Sequence, residues 1–172
     1  MSIVVIISAL TGAIPASGQN NQPPSPCSAE EISQFDFWIG EWELEWPNGD
    51  GNVGTGTNRV ERLFESCIVQ ENFSTSDGSF KGMSVSSYNP IIQKWQQTWV
   101  DNTGAYLDFK GGFEDGKMTL SREFIAKDGR QIMQRMVYFD IKEDAFTWNW
   151  ESSTDGGATW KTLWQINYKR KK

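Results

Sequence analysis

The sequence predicts an all-β protein, an antiparallel up-and-down barrel of roughly ten strands preceded by one short helix. Three observations predict it. Turn-forming clusters recur about every dozen residues from Ser76-Asp77-Gly78 onward, which allows one strand and one tight turn each time. Apolar and polar residues alternate with period two between those turns. The apolar weight is carried by nine Trp, ten Phe and four Tyr, residues that favour a pleated strand over a helix.

The elements follow in order. Residues 3–14, IVVIISALTGAI, are apolar but too short to span a bilayer, and Ala16-Ser17-Gly18 offers a small-x-small cleavage site before Gln19. Residues 1–18 therefore read as a signal peptide, although no Lys or Arg precedes the apolar run. Export, secreted or periplasmic, is the expectation. Pro24-Ser25-Pro26 ahead of Cys27 is no lipobox, so a lipid anchor is not indicated. Residues 19–29 read as a Pro-rich linker, and 30–172 as a single domain. Ser28 with Glu31 three residues later has capping-box spacing, predicting a helix of about two turns that ends near Phe35–Phe37.

Strands are then expected near 41–47, 54–64, 67–76, 80–89, 94–101, 104–113, 117–126, 130–140, 144–152 and 158–169. Trp42, Leu44 and Trp46 share one face while Glu41, Glu43 and Glu45 take the other, and Phe146, Trp148 and Trp150 oppose Thr147, Asn149 and Glu151. An open sheet of this many strands would leave long unpaired edges, so closure is expected; a two-sheet sandwich is the alternative.

Composition excludes several chemistries. The chain has no histidine, which removes the commonest general base, the commonest zinc and haem ligand, and every Ser-His or Cys-His pair. No phosphate loop, Cys-x-x-Cys or calcium loop occurs, so no metal or cofactor is expected. A net charge of -6 argues against nucleic acid, and the basic run Lys169-Arg170-Lys171-Lys172 reads as a solvated end. Cys27 and Cys67 read as one disulfide in an exported protein, or else as two buried thiols.

Function turns on which polar side chains point inward. Alternation groups Glu71 with Val69 and Phe73, Gln97 with Trp95 and Trp99, and Arg122 with Met118, Leu120 and Phe124. Arg135 lies in a stretch apolar on both faces and cannot be assigned by pattern. Glu71, Tyr88, Gln97, Trp99, Arg122, Arg135 and Trp148 are the candidate ligand-binding residues, aromatics holding the body and an internal Arg meeting an acidic group. The alternative is a water-bridged Glu71–Arg122 ion pair that never touches ligand. Glu71 and Asp101 form the only carboxylate pair worth weighing for hydrolysis. Ser153-x-Asp155-x-Gly157-x-Thr159-Trp160 resembles the Asp-box hairpin of sialidases, a structural turn in those proteins.

Four short motifs occur in a telling order: Phe35-Asp36-Phe37-Trp38-Ile39-Gly40-Glu41-Trp42, Cys67-Ile68-Val69-Gln70-Glu71, Trp95-Gln96-Gln97-Thr98-Trp99-Val100-Asp101, and Ser153 to Trp160. The chain resembles the DUF1579 proteins over roughly residues 35–168, a group of calycin-like barrels related to lipocalins and nitrobindins. The resemblance implies that Gly40 bends past the barrel floor and Trp42 plugs it. Nitrobindin-type haem binding needs a histidine and is not carried over. The expected function is a secreted lipocalin-like barrel that binds a small apolar or amphipathic molecule, with no stable membrane insertion once the signal is removed. The alternatives are a filled barrel serving structure or interaction, and a hydrolase or isomerase using Glu71 or Asp101 as base.

Overall fold

A computed structural model describes Cys27, residues 30–49 and residues 51–172. The expected signal peptide 1–18, most of the linker and the Ser28 cap lie outside the described residues. A 3-10 helix, Glu30–Trp38, leads into ten strands: β1 (Gly40–Pro47), β2 (Val53–Leu63), β3 (Ile68–Thr75), β4 (Lys81–Asn89), β5 (Lys94–Asp101), β6 (Tyr106–Glu114), β7 (Lys117–Ile125), β8 (Gln131–Phe139), β9 (Ala145–Ser153) and β10 (Lys161–Arg170). Each strand pairs antiparallel with the next, and β10 returns to β1, Trp42 facing Arg170 and Leu44 facing Tyr168, so the barrel is closed. Closure satisfies both edges that an open sheet would expose.

Strand boundaries follow the turn chemistry to within two residues, with one larger shift. β10 begins at Lys161 rather than 158, because Ser153–Trp160 is a self-contained turn. Asp155 accepts bonds from the Thr159 amide at 2.9 Å and the Thr159 hydroxyl at 2.6 Å, Ser153 Oγ accepts from the Gly157 amide at 2.9 Å, and Gly156 and Gly157 take φ of +69° and +88°. Hydrogen bonds from Ser153 and Thr159 pull the Asp155 carboxyl down to about 2. The Asp-box resemblance thus resolves as a structural turn.

The helix is 3-10 and runs to Trp38, further than expected. Three residues per turn line up Ile32, Phe35 and Trp38, and the last two are completely buried. They close one end of the barrel: the Phe35 ring meets Trp95 edge-on at 4.6 Å, Trp38 meets Tyr138 at 5.2 Å, and Phe37 meets Phe146 at 5.4 Å. Trp42 fills the floor beneath, its indole donating to the Trp38 carbonyl at 2.8 Å.

Arg170 locks this end and corrects the expectation of a solvated basic tail. Its guanidinium lies 4.2 Å from the Trp42 ring centre and donates to the carbonyls of Ile39 at 2.8 Å, Phe37 at 3.2 Å and Glu143 at 3.0 Å. Gly40, at φ +137°, makes room for it, since a Cβ there would collide with Arg170 Nη1. Cys27 is disulfide-bonded to Cys67, with Cα atoms 5.0 Å apart, fastening the chain ahead of the helix to the start of β3. Closing a loop of 40 residues stabilises the fold by roughly 3–4 kcal/mol in the chain-entropy account.

Inside the barrel, large rings sit over glycines of neighbouring strands: Trp46 covers Gly54 and Gly56, and Trp99 covers Gly82. Gly111 faces backbone, where a Cβ would press into the Thr119 carbonyl. Backbone cannot swing aside like a side chain, so Gly111→Ala is expected to cost about 1–3 kcal/mol. A urea midpoint equal to that of the unmodified protein would show that the β6–β7 pair yields instead.

Candidate functional site

The two ends of the barrel differ. The helix fills one, whereas toward the other the inward side chains enclose a cavity of about 220 Å³. Phe73 on β3, Trp99 on β5, Phe109 on β6, Trp148 and Trp150 on β9 and Trp164 on β10 form much of its wall. Their rings meet mostly edge to face, for example Trp148 against Trp164 at 5.9 Å and 88°, and Phe109 against Trp150 at 5.7 Å and 80°.

The cavity also meets a polar layer across the barrel's middle, centred on Glu71. Alternation along β3 turns Val69, Glu71 and Phe73 inward. Asn58 Nδ2 on β2 donates to Glu71 Oε1 at 2.6 Å, and Ser84 Oγ on β4 donates to Oε2 at 2.7 Å. Asn58 Nδ2 also reaches the Tyr168 hydroxyl at 3.2 Å. No described lysine or arginine forms an ion pair with this carboxylate. Burial pushes it up to about 7, against the opposing hydrogen bonds of Ser84 and Asn58. The hydroxyls of Tyr138 and Tyr168, which also line the cavity, are raised well above the usual range, first by burial and then by the Glu71 charge.

Of the residues singled out from sequence, Glu71, Trp99 and Trp148 line this cavity together. Gln97 lies in the polar layer, buried, donating to Ser86 Oγ at 2.9 Å. Arg122 points inward on β7, toward the end of the barrel away from the helix. It lies over Phe124 at 4.8 Å and Phe109 at 5.9 Å and donates to Gln134 at 3.4 Å, so the expected Glu71–Arg122 ion pair does not form.

Two expectations are corrected. Tyr88 is at the helix end, 5.9 Å from the Trp95 ring, where its hydroxyl bonds Glu31 beside a shallow polar groove. Arg135 points outward, since Met136 and Tyr138 take the inward face of β8. Its Nε donates to Glu151 at 2.7 Å, and its guanidinium lies 3.9 Å from the Trp160 ring centre. Trp160 thus covers part of the outer face of β8, whose residues are apolar on both faces, which is why pattern could not orient it.

Asp101 lies at the cavity's edge, but its oxygens serve the β5–β6 turn. It accepts from the Thr103 amide at 2.9 Å, the Thr103 hydroxyl at 2.6 Å and the Trp99 indole at 2.9 Å. Burial opposes its charge, yet these bonds from Thr103 and Trp99 hold the carboxyl below its ordinary value. Among the described residues, no three His, Cys, Asp or Glu side chains cluster to hold a metal ion.

Sequence reasoning missed Asn58, Ser84, Tyr138 and Tyr168. The inward faces of β2 and β4 read Gly54, Gly56, Asn58 and Gly82, Ser84, Ser86, with too little apolar contrast to mark them. The available signal was register: Glu71 lies opposite Ser84 on β4 and opposite Val60, one inward position from Asn58, on β2.

No curated protein matches the chain. A family model described as a protein of unknown function does match residues 33–170, and the chain therefore belongs to the DUF1579 family.

Proposed function

We propose that this protein is a binding protein, holding a small, largely apolar molecule in the aromatic end of its barrel. The observation that carries the reading is the cavity itself: about 220 Å³ of space walled by rings and ending on a buried carboxylate. A barrel that served only as a solid module would gain by filling that space, since unfilled volume forfeits contacts. The enzymatic alternative is weaker, because Asp101, the other carboxylate lining the cavity, is committed to its turn.

We further propose export, to the periplasm or the exterior. The Cys27–Cys67 bond suits an oxidising compartment, and residues 3–14 have signal-peptide character. A net charge of -6 disfavours nucleic acid as a partner.

Native mass spectrometry of protein purified from its own host tests the binding reading. The expected result is an adduct that is released on denaturation and whose release changes tryptophan emission, since four tryptophans line the cavity. Only apo mass, together with emission unmoved by any small molecule in a broad panel, would sink it.

A further inference from the structure

The ligand's polar end can be specified further, on the basis of the binding reading above. We infer that the cavity selects a small organic cation, a primary ammonium on a single-ring or similarly compact apolar body, with the ammonium at Glu71.

The first support is an incomplete pairing. Glu71 is buried with two neutral donors, Asn58 and Ser84, and without an ion-pair partner among the described residues. A buried carboxylate is stabilised most by a charge opposite to its own, and an ammonium entering the cavity supplies one. The groups facing Glu71 from β2, β4, β8 and β10 are Asn58, Ser84, Tyr138 and Tyr168. The two tyrosines stay neutral and none of the four groups is basic, so they bring neither a competing cation nor a second negative charge.

The second support is the surplus of acceptors. Asn58 Oδ1 and Gln97 Oε1 in the same layer are buried without a hydrogen-bond donor. An ammonium carries three donors and no acceptor, which complements the Glu71 carboxylate and the Tyr138 and Tyr168 hydroxyl oxygens that line the cavity with it, in a layer already short of donors. A ligand carboxylate would instead meet Glu71 as a like charge. Arg122, toward the end away from the helix, is engaged by the faces of Phe124 and Phe109 and by Gln134.

The walls agree with this choice. Phe73, Trp99, Trp148 and Trp164 present π systems, and the negative ring faces attract an organic cation while the ring bodies hold its apolar part. The space is below the roughly 300–1,000 Å³ of sites for drug-sized ligands, which limits the body to about one ring.

The test is titration calorimetry with three probes of similar shape: phenethylamine, 2-phenylethanol and 3-phenylpropionate, on the full chain at pH 8. Phenethylamine is expected to bind at least about tenfold more tightly than the alcohol, with the propionate weakest. In Glu71→Gln the amine should lose at least about tenfold while the alcohol changes by less than about threefold. The ranking in the unmodified protein stands alone if the variant does not fold. An alcohol or propionate that binds as tightly as the amine overturns the inference and leaves the binding function intact. Unchanged amine affinity in folded Glu71→Gln does the same. Absence of binding by all three probes, with only apo mass from the host, removes both.

Discussion

Glu71→Gln is expected to stabilise the fold at pH 8 by about 3 kcal/mol while changing it little below the ordinary carboxylate value of 4.5. The folded carboxyl holds its proton up to about 7, whereas in the unfolded chain it loses it near 4.5. Below 4.5 both states are protonated and the carboxyl carries no charge penalty. As pH rises from 4.5 to 7 the unfolded chain ionises first, so stability falls. Above 7 both states are ionised and the full cost of about 3 kcal/mol remains. Glutamine never ionises, and its oxygen and amide still serve Asn58 and Ser84. Urea unfolding at pH 4.5 and pH 8 checks the sign. Parallel pH profiles for the two proteins would mean that water already relieves the buried charge. A bound ammonium should have the opposite effect to the empty cavity, stabilising the protein most above pH 7.

Arg170→Ala is expected to cost about 3–5 kcal/mol, because it orphans three carbonyls at once and uncovers Trp42. In a domain of this size that lowers Tm by roughly 10 °C or more. Arg170→Lys should recover little, since an ammonium can neither fork between the Ile39 and Phe37 carbonyls nor stack on the indole. A thermal melt decides it: a shift of only about 2 °C for the alanine variant would show that the helix holds the floor without the clamp.

How much of this was legible depended on local chemistry. The strands were readable because their turns are written in Asp, Asn and Gly, and the inward orientation of Glu71, Trp99 and Trp148 followed from simple alternation. Alternation fails where both faces are covered. Trp160 shelters the outside of β8, so Met133, Arg135 and Val137 look as buried as Ile132, Met136 and Tyr138. Charge runs misled at Arg170, whose neighbours Lys169 and Lys171 are exposed while it turns onto Trp42. The unpaired state of Glu71 was not readable at all. It depends on strands meeting across the barrel, and the sequence offered Arg122 as an equally good partner. The 3-10 character of the helix likewise follows from the floor it must fit and not from propensity.

The clamp at Arg170 has a kinetic side. It joins Arg170 to Ile39, 131 residues earlier, and the β1–β10 ladder beside it spans nearly the same separation. Most neighbouring strands can zip as hairpins, but this seam waits for the ends of the barrel to find each other, an entropically slow encounter. Until it forms, the rings around Trp42 and the edges of β1 and β10 stay open to other chains. The slowest step of folding is then also the moment of greatest exposure to aggregation.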